Sequence, residues 1–365
     1  MKCSIPGCGT FGRRRIPKRA LESVKLTYPT AWITNDSRVC DTHQQRYKNS
    51  LLEGIRFATI KNSARMVHQY TGLPNGEVFL ALLKFLRSYR TQTSLTYAVT
   101  GNHHSTLLYE DQLLITLKKL RVNLPDDILA VDFQVSRSQI TSIWRSWLDI
   151  MVNKFKTLVG DELPSLAKCQ KAMPACFASH PNTRIVIDCT EVPIEAPSNI
   201  ESSAKCYSHY KSTHTAKLLI GIAPSGVITY VSRCYPGGTT DKEIVVDSAI
   251  LQKVTVGDNV MADKGFLIHD ILPEGVTLNI PAGMWGKTQF TPEEVAASRK
   301  VSIARIHVER SIGYLKRYKI LGNKVVAKML PYLSDIAFVC AQLVNLNPVF
   351  LREVDNDFFK MTRAT

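Results

Sequence analysis

The chain has 365 residues, 45% of them hydrophobic and 8% aromatic, which is material for two or three globular domains and excludes a disordered or fibrous protein. Its net charge of +15 and pI of about 9.4 point to a polyanionic partner. Residues 1–70 hold thirteen Lys/Arg and four Asp/Glu, so +9 of the +15 lies in the first fifth of the sequence. Met1-Lys2-Cys3-Ser4 opens no apolar leader, and no run of about 18 apolar residues marks a membrane span. Nine scattered cysteines are an odd number without a secreted-scaffold pattern, which suits a reducing compartment where clustered Cys binds metal.

Residues 1–49 lack apolar periodicity and are rich in Cys, Gly and Arg. Four residues separate Cys3 from Cys8, two separate Cys40 from His43, and 31 lie between Cys8 and Cys40. Two close pairs joined by a longer segment are the layout of a tetrahedral zinc site, in which metal binding supplies the folding energy that a small core cannot. The alternative is four incidental residues. Arg13, Arg14, Arg15, Lys18 and Arg19 would supply phosphate contacts.

Residues 50–105 read as a connector with one amphipathic helix, Glu77 to Arg90, behind the turn Pro74-Asn75-Gly76. Residues 106–156 read as three helices. Leu113, Leu114, Leu117 and Leu120 repeat at helical spacing, and Pro125-Asp126-Asp127 opens the second helix. Ser136 caps the third, with Gln139 three residues on in capping-box position. Arg137, Gln139 and Arg145 of that last helix are candidates to reach phosphates or bases, although small three-helix units also serve as plain packing modules.

From residue 157 to 350 the pattern becomes α/β. Strand-like runs at Arg184–Asp188, Ala216–Ala223, Val227–Arg233, Asn259–Asp263 and Val276–Pro281 alternate with helical patterns at Lys242–Leu251, Pro292–Ile320 and Leu333–Leu346. Pro224-Ser225-Gly226 joins two of the runs as a hairpin, so a mixed sheet is expected. Residues 351–365 form a tail.

Three acids draw attention. Asp188 and Asp263 each end a buried apolar run, where an unpartnered acid is costly. Glu309 lies on a helix face with Arg305, Ile312, Gly313 and Lys316. Carboxylates gathered from separate elements are what phosphodiester cleavage by two hard divalent cations requires. The plainer readings are that each Asp caps the turn after its strand and that Glu309 pairs with Arg305 or Arg310 on the surface. Asp241 stands inside a Thr240/Glu243 capping box, which favours a structural role, with support of a nearby metal ligand as the other. Glu191 and Glu195 rank lower.

These residues carry a resemblance. Asp188-Cys189-Thr190-Glu191, Tyr207-Ser208-His209-Tyr210-Lys211, Leu219-Ile220-Gly221-Ile222, Thr240-Asp241-Lys242-Glu243, Ala262-Asp263-Lys264-Gly265-Phe266 and His307-Val308-Glu309-Arg310 together resemble Harbinger-like DDE transposases over roughly residues 107–345. The resemblance implies an RNase H-like core, a preceding helix-turn-helix, catalytic acids at Asp188, Asp263 and Glu309, and two Mg²⁺ or Mn²⁺ ions. Arg305, Glu309 and Lys316 match the Arg-x₃-Glu-x₆-Lys pattern of related insertion-sequence enzymes, with Arg305 and Lys316 as DNA contacts. Ser302 replaces the Tyr that often precedes that pattern. The N-terminal Cys and His pairs look like a THAP finger binding Zn²⁺, with a shorter central segment than usual.

The expectation is therefore a nuclear transposase that binds terminal inverted repeats and target DNA, without a membrane, and assembles as a homo-oligomer. The alternative is a transposase-derived DNA-binding regulator that no longer cuts.

Overall fold

The computed structural model describes residues 14–15, 37–39, 55–87, 107–281, 289 and 291–347. These fall into two compact units, residues 1–60 with 124–142 and residues 61–123 with 143–365. In the first unit, β1 (Arg14–Arg15) pairs antiparallel with β2 (Arg38–Val39). The same unit holds α1 (Phe57–Ile60) and α5 (Asp126–Phe133). The Arg56 guanidinium donates to the Phe133 carbonyl at 2.9 Å and lies 5.0 Å from the Phe133 ring centre, joining the segment before α1 to the end of α5. Cys3, Cys8, Cys40, His43 and Arg13 lie outside the described residues, and with them the zinc expectation.

The second unit begins with α2 (Ala64–Thr71), α3 (Gly76–Arg87) and α4 (Tyr109–Val122). The connector thus has helices at α1 and α2 besides the one expected. Only Val67 and Thr71 of α2 are buried, too few apolar positions to announce a helix by periodicity. What starts and stops α2 is local: the Ser63 hydroxyl accepts from Met66 N, and Gly72 ends it at φ 78°. Gly72 has no room for a side chain either, since a Cβ there would stand 2.6 Å from the Tyr318 hydroxyl.

The long helix α6 (Arg137–Val159) starts with the expected capping box: Ser136 Oγ accepts from Gln139 N at 3.2 Å and Gln139 Oε1 from Ser136 N at 3.0 Å. Trp144, Trp147, Met151 and Phe155 form its buried stripe. A short α7 (Leu166–Lys171) follows.

The sheet contains β3 (Thr183–Pro193), β4 (Tyr207–Ser208), β5 (Thr213–Ile222), β6 (Ile228–Val231), β7 (Tyr235–Pro236), β8 (Asn259–Met261) and β9 (Thr277–Asn279). Its path is β4-β5-β3-β8-β9, with β6 and β7 also paired to β5. Strand β3 is antiparallel to β5 and parallel to β8, and β8 is parallel to β9, so the sheet is mixed as expected. Both its faces are covered. Ile185, Ile187, Leu219, Val260 and Ala262 pack with Ile244 and Val245 of α9 (Asp241–Asp247). The α10 helix (Pro292–Lys316) lies against β3 and β5 without joining that cluster, and α12 (Leu333–Asn345) lies against β6 and α10. Close approach of the strands at Gly221 leaves no space for a Cβ, which would meet Ile185 Cδ1 at 2.5 Å.

Three elements depart from expectation. The Lys242–Leu251 helix is broken: Ala249 takes φ 56°, and Ile250–Lys253 turns as a 3₁₀ segment. The Pro292–Ile320 helix ends at Lys316, and α11 (Lys319–Gly322) follows as a separate turn. A helix, α8 (Ile200–Cys206), stands where no pattern announced one, because none of its residues is buried; the Asn199 side chain caps it.

The stretch Ala327–Asn345 is long and apolar enough to cross a membrane by length and composition, which the count of apolar runs missed. Leu333, Ile336, Val339, Cys340, Leu343 and Val344 within it are buried in the protein, as in a core helix.

Candidate active site

Strand register brings two of the acids together. The last residue pair between β3 and β8 is Val186 with Met261. Asp188 and Asp263 each stand two residues beyond that pair, and period-two alternation puts them on the face of Val186 and Met261, opposite the Ile185/Ile187 cluster. Asp188 does not end its strand, as the sequence suggested. Strand β3 continues to Pro193 against β5, and Asp188 lies just beyond the stretch of β3 that pairs with β8; the far end of that edge is bonded to the Val325 segment.

The third acid comes from α10. Thr291 and Glu294 form a capping box at its start, with Pro292 in the first turn. The buried Ser311 hydroxyl donates to the Gly226 carbonyl at 2.7 Å, which fixes the helix against the hairpin turn. One turn before Glu309 stands Arg305, whose side chain is 10% exposed. Its guanidinium reaches Asp263 Oδ1 at 2.7 Å and Glu309 Oε1 at 3.7 Å. The plainer readings are thus also present in part: Asp263 Oδ1 accepts from Lys264 N at 2.7 Å, and Glu309 does pair with Arg305.

Asp188 is held differently. Its carboxyl is raised to about 6, by burial above all, against the pull of Arg305 and the Cys189 N–H and with a smaller push from Asp263 and Asp241. The Asp188 charge therefore stands in the field of Arg305 and Asp263, and its ionised form is costly in the folded protein. The sign follows from linkage. The folded pKa exceeds the unfolded value, so stability from the protonated form is full below the unfolded value near 3.8 and is lost as pH rises through about 6. Asp188→Asn should therefore raise the melting temperature of the metal-free protein at pH 7.5, and the gain should vanish below about pH 4. Melting curves of both proteins across that range check this; an equal gain at every pH would place the effect elsewhere.

Asp241 lies beside this group. It is the first residue of α9, inside the expected Thr240/Glu243 capping box, and its Oδ1 meets Lys217 Nζ at 2.7 Å. Burial opposes the Lys217 ammonium, but the Asp241 carboxylate outweighs it and raises its pKa. Burial, with Asp241 next, pushes the Cys189 thiol up, so Cys189 is an inert neighbour of Asp188. Glu191 accepts from Thr215 Oγ1 at 2.7 Å and Glu195 from Ala327 N at 2.7 Å.

Lys316 ends the same face of α10. Burial lowers its pKa, Lys211 lowers it further, and Glu191 and Asp188 raise it, so the Lys316 ammonium stands in the field of the Asp188 carboxylate. Lys211 stands within the Tyr207–Lys211 motif already quoted from the sequence, but nothing there singled out Lys217, the partner of Asp241. In α6, Arg137 pairs with Asp127 at 3.1 Å on an exposed surface, and Gln139 serves the helix cap. Arg145 lies over an aromatic ring, its guanidinium 4.8 Å from the Tyr332 ring centre.

Residues 187–345 match the model of the DDE superfamily endonuclease family, and residues 105–157 match that of the helix-turn-helix of DDE superfamily endonucleases. Residues 187–345 are thus similar to a DDE endonuclease domain. Asp188, Asp263 and Glu309 all fall within the matched residues 187–345, and the helices that match the helix-turn-helix model precede them. Comparison with curated proteins and with solved structures gave no match.

Enzymes with this domain use divalent metal ions. Three carboxylates are an all-oxygen donor set suited to Mg²⁺ or Mn²⁺, and a buried guanidinium already draws two of them toward a positive charge. Among the described residues no three acids, imidazoles or thiols close into a metal-ligand group. Arg305 stands among them instead.

Proposed function

We propose that this protein is a DNA transposase with an RNase H-like core, in which Asp188, Asp263 and Glu309 hold divalent metal for phosphodiester cleavage. The observation that carries the reading is the convergence of acids from β3, the end of β8 and α10 on Arg305, within the residues similar to a DDE endonuclease domain. The mixed sheet, antiparallel on one side of β3 and parallel on the other, supports the core assignment. Bound metal would polarise the scissile phosphate and lower the pKa of an attacking water. The chain's own part is to hold oxygen donors from β3, the end of β8 and α10, and to offer Lys316, in the field of Asp188, to a phosphate backbone.

The proposed substrates are the element's terminal inverted repeats and a target duplex, bound by a nuclear homo-oligomer. Residues 1–49, read as a Zn²⁺ finger, would add sequence-specific contacts. The test is incubation of the full chain with DNA spanning a terminal repeat and its flank, with Mg²⁺ or Mn²⁺. Nicks at the element boundary are expected, with binding that weakens steeply as salt rises. Binding without any cut in either metal would replace this reading with that of a DNA-binding regulator.

A further inference from the structure

Arg305 is an unusual neighbour for metal-binding acids. A buried guanidinium is stable only when its donors are well paired. This one has a short contact to Asp263, a long one to Glu309, and an Nε that bonds to nothing. Asp263 and Glu309 are 50% and 61% exposed at their side chains, so both remain accessible to solvent. The carboxylates are thus gathered around a positive charge that fits them loosely. A compact divalent ion satisfies the same oxygens with higher charge density, and two cations crowded onto one pair of carboxylates repel each other.

We propose that Arg305 is a resident competitor for the metal: its guanidinium holds Asp263 and Glu309 together in the metal-free protein and must leave them for a divalent cation to bind. The proposal rests on the metal-dependent reading of the site. Arg305 is a positioning residue in this account. It relieves the repulsion between the acids until metal arrives, and metal uptake and release of the guanidinium are one event.

The sign of one measurement decides. If Arg305 competes, removing it strengthens metal binding; if it only supports the acids in their metal-holding positions, removing it weakens binding. Mn²⁺ alone is titrated by calorimetry into the full chain, without DNA, for wild type, Arg305→Met, Arg305→Lys and Asp263→Asn, and each protein is melted with and without Mn²⁺. Arg305→Met should bind Mn²⁺ about tenfold or more tightly than wild type. It should also melt lower without metal and gain more from the same Mn²⁺ concentration. Arg305→Lys keeps the charge but loses the fork that reaches both acids, and should fall between.

Affinity for Mn²⁺ that is unchanged or weaker in Arg305→Met overturns the proposal. Should that variant fail to fold, the direction of the change in Arg305→Lys decides in its place. If wild type takes up Mn²⁺ and Asp263→Asn does not, a failure concerns Arg305 alone. If neither wild type nor the Arg305 variants take up Mn²⁺, the proposal and the metal-dependent reading fall together.

Discussion

Asp263→Asn should abolish strand cutting while leaving DNA binding close to wild type. The substitution keeps the shape of the side chain and removes the charge that a divalent cation requires. Loss of one preorganised charge-stabilising group costs on the order of a hundred- to a thousandfold in rate, and loss of a metal ligand at least that. The fold should tolerate the change. The Asp263 side chain is half exposed, and Arg305 keeps Glu309 as a partner. A gel shift and a nicking assay on the same DNA, run in parallel, separate the two properties. Glu201→Gln makes a control for charge removal, since Glu201 and Lys205 form an exposed pair on α8. Cutting by Asp263→Asn at the wild-type rate would show that Asp188, Asp263 and Glu309 are the wrong acids.

Trp147→Ala should cost about 3–5 kcal/mol of stability, the range for truncating a buried aromatic side chain. Trp147 is fully buried on α6, and its indole N–H donates to Gln112 Oε1 of α4 at 3.2 Å in the interior. Substitution opens a cavity and deletes a buried hydrogen bond, so both terms act in one direction. Urea denaturation followed by tryptophan fluorescence and circular dichroism would measure it. A loss below about 1 kcal/mol would mean that α4 and α6 are held together by something other than this contact. Because α4 and α6 lie in the helix-turn-helix segment, the variant should also weaken DNA binding at temperatures where wild type is intact.

Much of the organisation is legible in the amino-acid sequence. The apolar runs at 184–188, 216–223 and 259–263 are strands because β-branched and aliphatic residues fill both faces of a covered sheet. The Ser136/Gln139, Thr240/Glu243 and Thr291/Glu294 boxes are local chemistry between residues three apart, and each starts a helix in the folded protein. Helix α8 and the 3₁₀ turn at Ile250 are not legible in this way, because neither depends on a periodic apolar face.

Local order along the chain dictates which residue types stand at the ends of which runs: an acid after Ile185-Val186-Ile187, an acid after Val260-Met261-Ala262, and a glutamate four residues after an arginine. Their meeting depends on quantities without a local signature. The parallel register of Val186 with Met261 sets Asp188 level with Asp263. The anchor from Ser311 to Gly226 sets the height of Glu309 along the sheet. The direction of Arg145 is likewise a tertiary matter, settled by the Tyr332 ring nearly two hundred positions away in the chain. Helix periodicity places a side chain on a face, but only packing between distant segments decides whether that face meets solvent, an aromatic ring or an acid. For Arg305, that packing buries the positive charge among the carboxylates, where the sequence suggests a surface pair with Glu309 and the family resemblance implies a contact to DNA.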